Sequence, residues 1–335
     1  MKIGVVGCGL IGDRRARVAH GAGDEVLLIA DLKPECAHKT ASAVGAQWTT
    51  DWKKVTGHPE IEAVVVATVN KDLLPVTLGA LENGKHVLCE KPLGRNAQEA
   101  RHMVAAARLH RRILGVGFNH RHHPAIWEAH RLAQAGVIGP IMYIRAAYGH
   151  GGRPGYDQEW RGDPELAGGG ELLDQGVHIV DLCRWFVGDF VQVSGMLGTW
   201  FWNVAPLEDN GFALLRTGSG QIAMLHTSWT QWKNLFRFEV FGRDGYLLVE
   251  GLGGSYGLER LTLGVRRPES GPPDLKVWEY PGPDNSWKDQ WDEFSAAVRE
   301  DRDPLSNGND GYQAALVIDA IYEAFRTRRT LDLNQ

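Results

Sequence analysis

The sequence predicts an α/β chain in two parts: an N-terminal doubly wound parallel sheet, then a C-terminal α+β part on an open antiparallel sheet. Three observations predict it. Up to about residue 120, short Val- and Ile-rich runs alternate with amphipathic runs, the pattern of a parallel sheet covered on both faces. Strand-like segments fill 190–265, joined by Gly-rich connections with hairpin chemistry. A chain of 335 residues also exceeds one small core, so two domains are expected, 1–121 and 122–335.

The elements follow in order. Strands are expected at Lys2–Val6, Glu25–Ala30, Ala63–Ala67, His86–Cys89 and Ile113–Gly117. Helical periodicity lies between them, at Ile11–His20, Pro34–Ala43, Asp72–Glu82 and Ala97–His110. Asn96 with Glu99 three residues later is a capping-box start, and Asn83-Gly84 is a left-handed stop. Pro124–Gln134 begins on a proline and ends before Gly136, again helical. A Gly-rich loop over Gly149–Gly170 precedes a helix at Glu171–Val187. Gly211–Thr217, Gln221–Trp232, Phe236–Gly242 and Tyr246–Glu250 read as strands, with turns at Gly218–Gly220 and Gly242–Gly245. Arg266–Ser286, rich in Pro and Gly, reads as an irregular loop before helices near Trp287–Glu300 and Asp310–Thr327.

Composition excludes several classes. The net charge is −5, so no basic excess is available to neutralise nucleic-acid phosphates or an anionic membrane. No apolar run is long enough to cross a bilayer, and no apolar leader precedes the first strand. Cys8, Cys36, Cys89 and Cys183 form no CxxC pair, which fits free thiols in a reducing cytoplasm.

Gly7-Cys-Gly9-Leu10-Ile11-Gly12 lies between the first strand and the first helix. That context turns a weak glycine pattern into a Rossmann dinucleotide site. Gly7 allows the tight turn, Gly9 clears space for the pyrophosphate, and Gly12 lets helix meet strand. The backbone of Leu10 and Ile11 then faces the phosphates at the helix N-terminus. Asp31 follows about 20 residues on, placed to accept from the adenosine ribose hydroxyls. It repels a 2′-phosphate and favours NAD over NADP, although Lys33 is close by. Thr68 and Asn70 end the next strand and are expected either at the nicotinamide ribose or as ordinary helix caps.

Hydride transfer from an alcohol needs a proton acceptor and a group that opposes the developing oxyanion. Lys91, in Glu90-Lys91-Pro92, stands at the carboxyl end of a strand, on the cofactor side. Glu90 is either its ion-pair partner or the residue that orients the loop. Asp174 and His178 are four apart on a helix and share a face. Gly176 between them costs about 1 kcal/mol relative to Ala, which makes sense if another surface passes close by. Asp181, flanked by Leu182, Trp185 and Phe186, reads as structural. Asn119-His120-Arg121-His122-His123 lacks metal-site spacing and reads as a polar edge of a site or a domain junction, so no metal is expected. Arg121 and Arg153 read as anchors for a substrate phosphate or carboxylate, or as solvated arginines. Trp160, Trp200, Trp202, Trp229 and Trp232 read mostly as core or subunit interface, with one or two able to stack on a sugar face.

These motifs, in this order, resemble the glucose–fructose oxidoreductase / inositol dehydrogenase / MocA family over essentially the whole chain. The most specific segment is Leu81–Leu93 with its Glu-Lys-Pro. Phe118-Asn119-x-Arg121-x-x-Pro124 and Gly136-x-Ile138-Gly139-x-Ile141 match as well. The resemblance implies a Rossmann domain followed by a large, mostly antiparallel sheet that makes a homodimer or homotetramer interface. It implies Lys91 and His178 as the catalytic pair, with Asp174 binding a substrate hydroxyl or orienting His178. Asn119, Arg121 and Arg153 join them as expected substrate contacts. A cis Lys91–Pro92 peptide is also implied. The expected reaction is NAD-dependent hydride transfer at a ring hydroxyl or ketone of a sugar, cyclitol or sugar phosphate. Alternatives are a nucleotide-sugar 3-dehydrogenase and a glycoside hydrolase or lyase with transient sugar oxidation. One departure stands out: Val69 and Leu73 replace the proline and histidine usual after the third of these strands.

Overall fold

The computed structural model describes residues 1–333. The chain divides into two compact units, each of which is described by itself. The first comprises Met1–Phe118, Glu165–Gly168 and Trp287–Ala315, and the second the remaining segments. The division therefore falls after Phe118 rather than between 121 and 122, and two later segments return to the first unit. Packing explains the larger return. Trp291 and Phe294 are fully buried in the same core as Ile3, Val5 and Leu88. The Trp291 indole also donates to Asp24 at 2.7 Å. Burying two large aromatics outweighs continuity along the chain.

The first unit is a six-stranded parallel sheet. Its strands are β1 (Lys2–Val6), β2 (Glu25–Ala30), β3 (Gln47–Thr49), β4 (Ala63–Val66), β5 (His86–Cys89) and β6 (Leu114–Val116). Their order is β3-β2-β1-β4-β5-β6. Helices α1 (Leu10–Gly21), α2 (Pro34–Val44), α3 (Trp52–Thr56), α4 (Asn70–Glu82) and α5 (Ala97–His110) connect them. Every residue of β4 is buried, as its unbroken Ala-Val-Val-Val requires in a sheet covered on both faces. Asn96 caps α5 by accepting from the Glu99 amide at 2.9 Å, and Gly84 takes φ +73° after α4. β3 and α3 were not expected. At three and five residues they are too short to show a period.

The second unit holds α6 (Pro124–Gln134), β7 (Ile141–Gly149), a five-residue π turn (Leu172–Gly176), α8 (Val177–Val187) and strands β8 (Phe190–Gly198) to β15 (Leu331–Asp332). A four-residue helix, α7 (Pro164–Ala167), interrupts the Gly-rich loop. Between β8 and β15 run β9 (Asn210–Thr217), β10 (Ile222–Ser228), β11 (Leu235–Gly242), β12 (Gly245–Glu250), β13 (Glu259–Val265) and β14 (Asp274–Tyr280). The nine strands lie in the order β14-β13-β12-β11-β7-β10-β9-β8-β15. All neighbours are antiparallel except β7 and β10. Both expected turns close hairpins, β9–β10 and β11–β12.

Two expectations change here. Arg266–Ser286 is not wholly irregular, because β14 runs through it. As a largely exposed edge strand, β14 needs no apolar alternation, which hid it. The expected helix at Glu171–Val187 is a π turn followed by α8. The chain closes with α9 (Ser286–Glu300) and α10 (Gly308–Thr327).

Candidate active site

The carboxyl ends of β1, β2, β4 and β5 lie along one edge of the parallel sheet and collect most of the expected cofactor residues. The strand order reverses between β1 and β4, the switch point where dinucleotides bind in such sheets. The three glycines after β1 differ in what a side chain would meet. Gly7 has φ +88°, and a Cβ there would lie 2.4 Å from the Ala67 carbonyl oxygen. A Cβ on Gly12 would lie 1.8 Å from the Gly7 carbonyl oxygen. A Cβ on Gly9 meets nothing. Gly7 and Gly12 are thus glycine for the fold, and Gly9 for whatever approaches from outside. Gly9 is also the N-cap of α1 and supplies no side chain to cap it, so the first amides of Leu10 and Ile11 face outward for an anion.

Asp31, just past β2, is held from both sides. It accepts from the Cys8 amide at 2.6 Å and from the Lys33 amide at 2.8 Å. Each carboxylate oxygen keeps further lone-pair capacity for ribose hydroxyls. These residues fit a dinucleotide. Replacing Gly9 with Ala is expected to leave the melting temperature within about 1 °C, since no contact is lost. The same change should weaken NAD binding at least tenfold, as titration calorimetry would show. A fall in melting temperature with unaltered affinity would remove Gly9 from the site.

Neither Thr68 nor Asn70 caps α4, whose N-cap is Val69. The Thr68 hydroxyl turns to the Val69 carbonyl at 3.1 Å. Asn70 is buried and donates to the Ala167 carbonyl at 2.8 Å, tying α7 to this unit. Leu73, at the departure noted above, is fully buried.

Lys91 follows β5 at the same edge, half-buried, and the Lys91–Pro92 peptide is cis. Its neighbour Glu90 is fixed from α1: the Arg15 Nε donates to it at 2.7 Å, and Arg15 Nη2 donates to Gln290 at 2.6 Å. Arg15 is fully buried, with its guanidinium 4.5 Å from the centre of the Trp287 ring. A buried charge pair of this geometry orients the loop that carries Lys91. Arg15 escaped notice because an arginine in an Arg-Arg helical stretch reads as solvated surface.

In the second unit Asp174 lies in the π turn and His178 in the first turn of α8, both buried. π turns widen a helix locally and recur at functional sites. Gly176 packs close to its surroundings: a Cβ there would lie 3.0 Å from Leu172 and 3.4 Å from Thr227. The start of the turn is pinned by Glu208, which accepts from the Leu172 amide at 2.9 Å and the Tyr322 hydroxyl at 2.8 Å. Burial pushes the Glu208 carboxyl up.

Two residues around this pair, Arg161 and Tyr148, were not anticipated, and His120 comes from the segment expected as a polar edge of a site or a domain junction. Arg161 donates to Asp174 at 3.0 Å. His120 places its ring 3.8 Å from that of His178. Tyr148 lies 5.2 Å from His120, ring to ring, and burial raises its phenol well above the usual value. The paired Tyr256 is pushed up to about 12, mainly by burial. Both phenols therefore stay protonated and can donate. Distances in sequence of 13 to 58 residues from Asp174 and His178 gave no signal of these contacts.

The remaining expected substrate residues are engaged within the protein. Asn119 donates to the Ser286 hydroxyl at 2.9 Å. Arg121 makes a buried two-point pair with Asp181, at 2.8 and 2.5 Å. Arg153 is largely exposed and pairs with Glu159 at 2.5 Å. His123 pairs with Glu259 at 2.9 Å. Among the described residues, no three His, Cys, Asp or Glu side chains converge on a metal position.

Residues 1–118 match the model of the oxidoreductase family with an NAD-binding Rossmann fold, and 126–248 match the GFO/IDH/MocA C-terminal domain. Levoglucosan dehydrogenase of Pseudarthrobacter phenanthrenivorans is 27% identical, over 92% of this chain and 89% of its own. The 1,5-anhydro-D-fructose reductase of Ensifer adhaerens is 30% identical, over 93% and 92%. A solved levoglucosan dehydrogenase in complex with NADH and levoglucosan superposes with a TM-score of 0.90 at 25% identity, covering 100% of both chains. The chain belongs to the GFO/IDH/MocA family of oxidoreductases and carries that family's NAD-binding Rossmann domain.

Proposed function

We propose that the protein transfers a hydride between NAD and a ring hydroxyl or ketone of a sugar, cyclitol or sugar phosphate. The observation that carries this reading is the buried Asp174–His178 turn, with Arg161 on the carboxylate and His120 against the imidazole. Bound NAD supplies the hydride acceptor. His178 takes the hydroxyl proton, Asp174 holds a substrate hydroxyl or orients His178, and Lys91 opposes the charge growing on the oxygen. A positioned acid–base group of this kind contributes about 10²–10⁴-fold. Similarity to enzymes named for levoglucosan, inositol and 1,5-anhydrofructose supports a polyhydroxylated ring as substrate. Asp31 supports NAD over NADP. Arg121 and Arg153 are already paired with carboxylates, so a nucleotide diphosphate finds no evident anchor in them.

The test is NADH production across sugars, anhydrosugars and inositols. Accumulating NADH with a ketone product supports net oxidation; bond cleavage without NADH points to transient oxidation. His178→Ala should lower kcat/KM about 10²-fold or more and flatten its pH dependence. An unaltered pH profile returns His178 to a packing role.

The reading extends to a homo-oligomer in the cytoplasm. No helix among the described residues is long and apolar enough to cross a membrane. The cross-strand register puts Met196, Phe212, Leu214, Met224, Ile222 and Tyr143 on one face of the nine-stranded sheet, each at least a third exposed. Such an apolar face supports a subunit interface. Leu214→Glu should then lower the molar mass measured by light scattering; a monomeric wild type rules the interface out.

A further inference from the structure

We propose that the protein binds a second ring beyond the sugar it acts on, so that its preferred substrate is a disaccharide-sized glycoside; this rests on the functional reading above. The observation is an unbroken run of aromatic side chains leading away from Asp174 within the second unit. Tyr156 begins it. Its ring is buried, and a chain of charged groups links it to the turn: Arg153 lies over the ring and pairs with Glu159, which lies 3.8 Å from Arg161, the donor to Asp174. Trp202 follows at 5.8 Å, ring to ring, then Phe201 at 5.2 Å and Trp232 at 4.8 Å. The inner end is buried and the outer end open: Phe201 is 60% and Trp232 67% exposed. Each step is about as wide as a pyranose ring, so the run outreaches a single sugar.

The run is rigid. Asp209, fully buried, accepts from the backbone amides of Trp200, Phe201 and Trp202 at 2.8–3.1 Å. The Trp202 indole donates to the Trp229 carbonyl at 2.9 Å. Trp202 and Trp232 press on the side-chain-free backbone of Gly152 and Gly151. A platform fixed in this way costs little ordering on binding.

Its chemistry suits a saccharide. Aromatic rings offer apolar faces to the C–H side of a pyranose. Planar charged groups lie beside them for the hydroxyls: Arg153 sits 5.7 Å over Tyr156 and pairs with Glu159, and Arg161 sits 4.5 Å over Trp160.

The test compares NAD reduction by the intact enzyme with glucose, galactose, xylose, levoglucosan and myo-inositol and with cellobiose, lactose and xylobiose. A disaccharide should exceed its component sugar at least tenfold in kcat/KM. Trp232→Ala should shrink that ratio at least fivefold, through KM, and Trp232→Phe should restore most of it. A ratio near one in the wild type, or an equal loss on both substrates, overturns the second ring. So does a Trp232→Ala variant of lower molar mass and unchanged ratio, which would make these rings a subunit contact. Turnover confined to compounds of one sugar residue overturns this inference and leaves the functional reading standing. NAD reduction with none of the compounds, together with no NADH oxidation by the corresponding ketones, sinks the functional reading itself.

Discussion

Replacing Lys91 with Met is expected to lower kcat by about 10²–10⁴-fold, the range for loss of a positioned catalytic group. Methionine keeps the length and apolar stem of the side chain and removes only the charge and the donors. The loop should survive the change, because its fixed point is the Arg15–Glu90 pair rather than Lys91. NAD affinity should therefore stay within about twofold, since Gly9, Asp31 and the start of α1 are untouched. Titration calorimetry for NAD and steady-state kinetics for the sugar separate the two quantities. A kcat near wild type would remove Lys91 from the chemistry. A matched loss of NAD affinity would instead make it a cofactor contact.

Arg121→Ala tests a different kind of claim. Its guanidinium is 3% exposed and its partner Asp181 1% exposed, so the pair is shielded from water. Removing one member leaves the other as an uncompensated buried charge, a change that costs about 3–5 kcal/mol. Urea denaturation should show that loss as a lower midpoint with an unchanged slope. The doubly apolar variant, Arg121→Met with Asp181→Leu, should recover much of it, because neither charge is then stranded. If Arg121 were a substrate anchor, the single variant would raise KM for anionic sugars and leave the midpoint in place.

These two residues differ in how much of their placement local sequence carries. Lys91 was legible because its position is set by local chain order: strand, then Glu-Lys-Pro, at an edge that parallel topology fixes. The glycine loop and Asp31 were legible for the same reason, whereas Asp174, expected on one α-helical face with His178, lies in a π turn that the α-helical period does not describe. Arg121 looked equally suited to binding a substrate anion. Only its contact with Asp181, 60 residues away, shows that its charge is satisfied inside the protein. Arg15 was invisible likewise, because its partner Glu90 comes from another element.

The sequence by itself determined the fold class, the parallel character of the first sheet, the dinucleotide loop and the family, since each depends on periodicity or on residues near one another in the chain. Tertiary structure alone decided that Trp291 and Phe294 complete the first core, that β14 is a strand, and which arginines are already paired. The reason is physical: periodicity is set by backbone geometry over a few residues, whereas burial and charge pairing depend on side chains that meet only after the chain has folded.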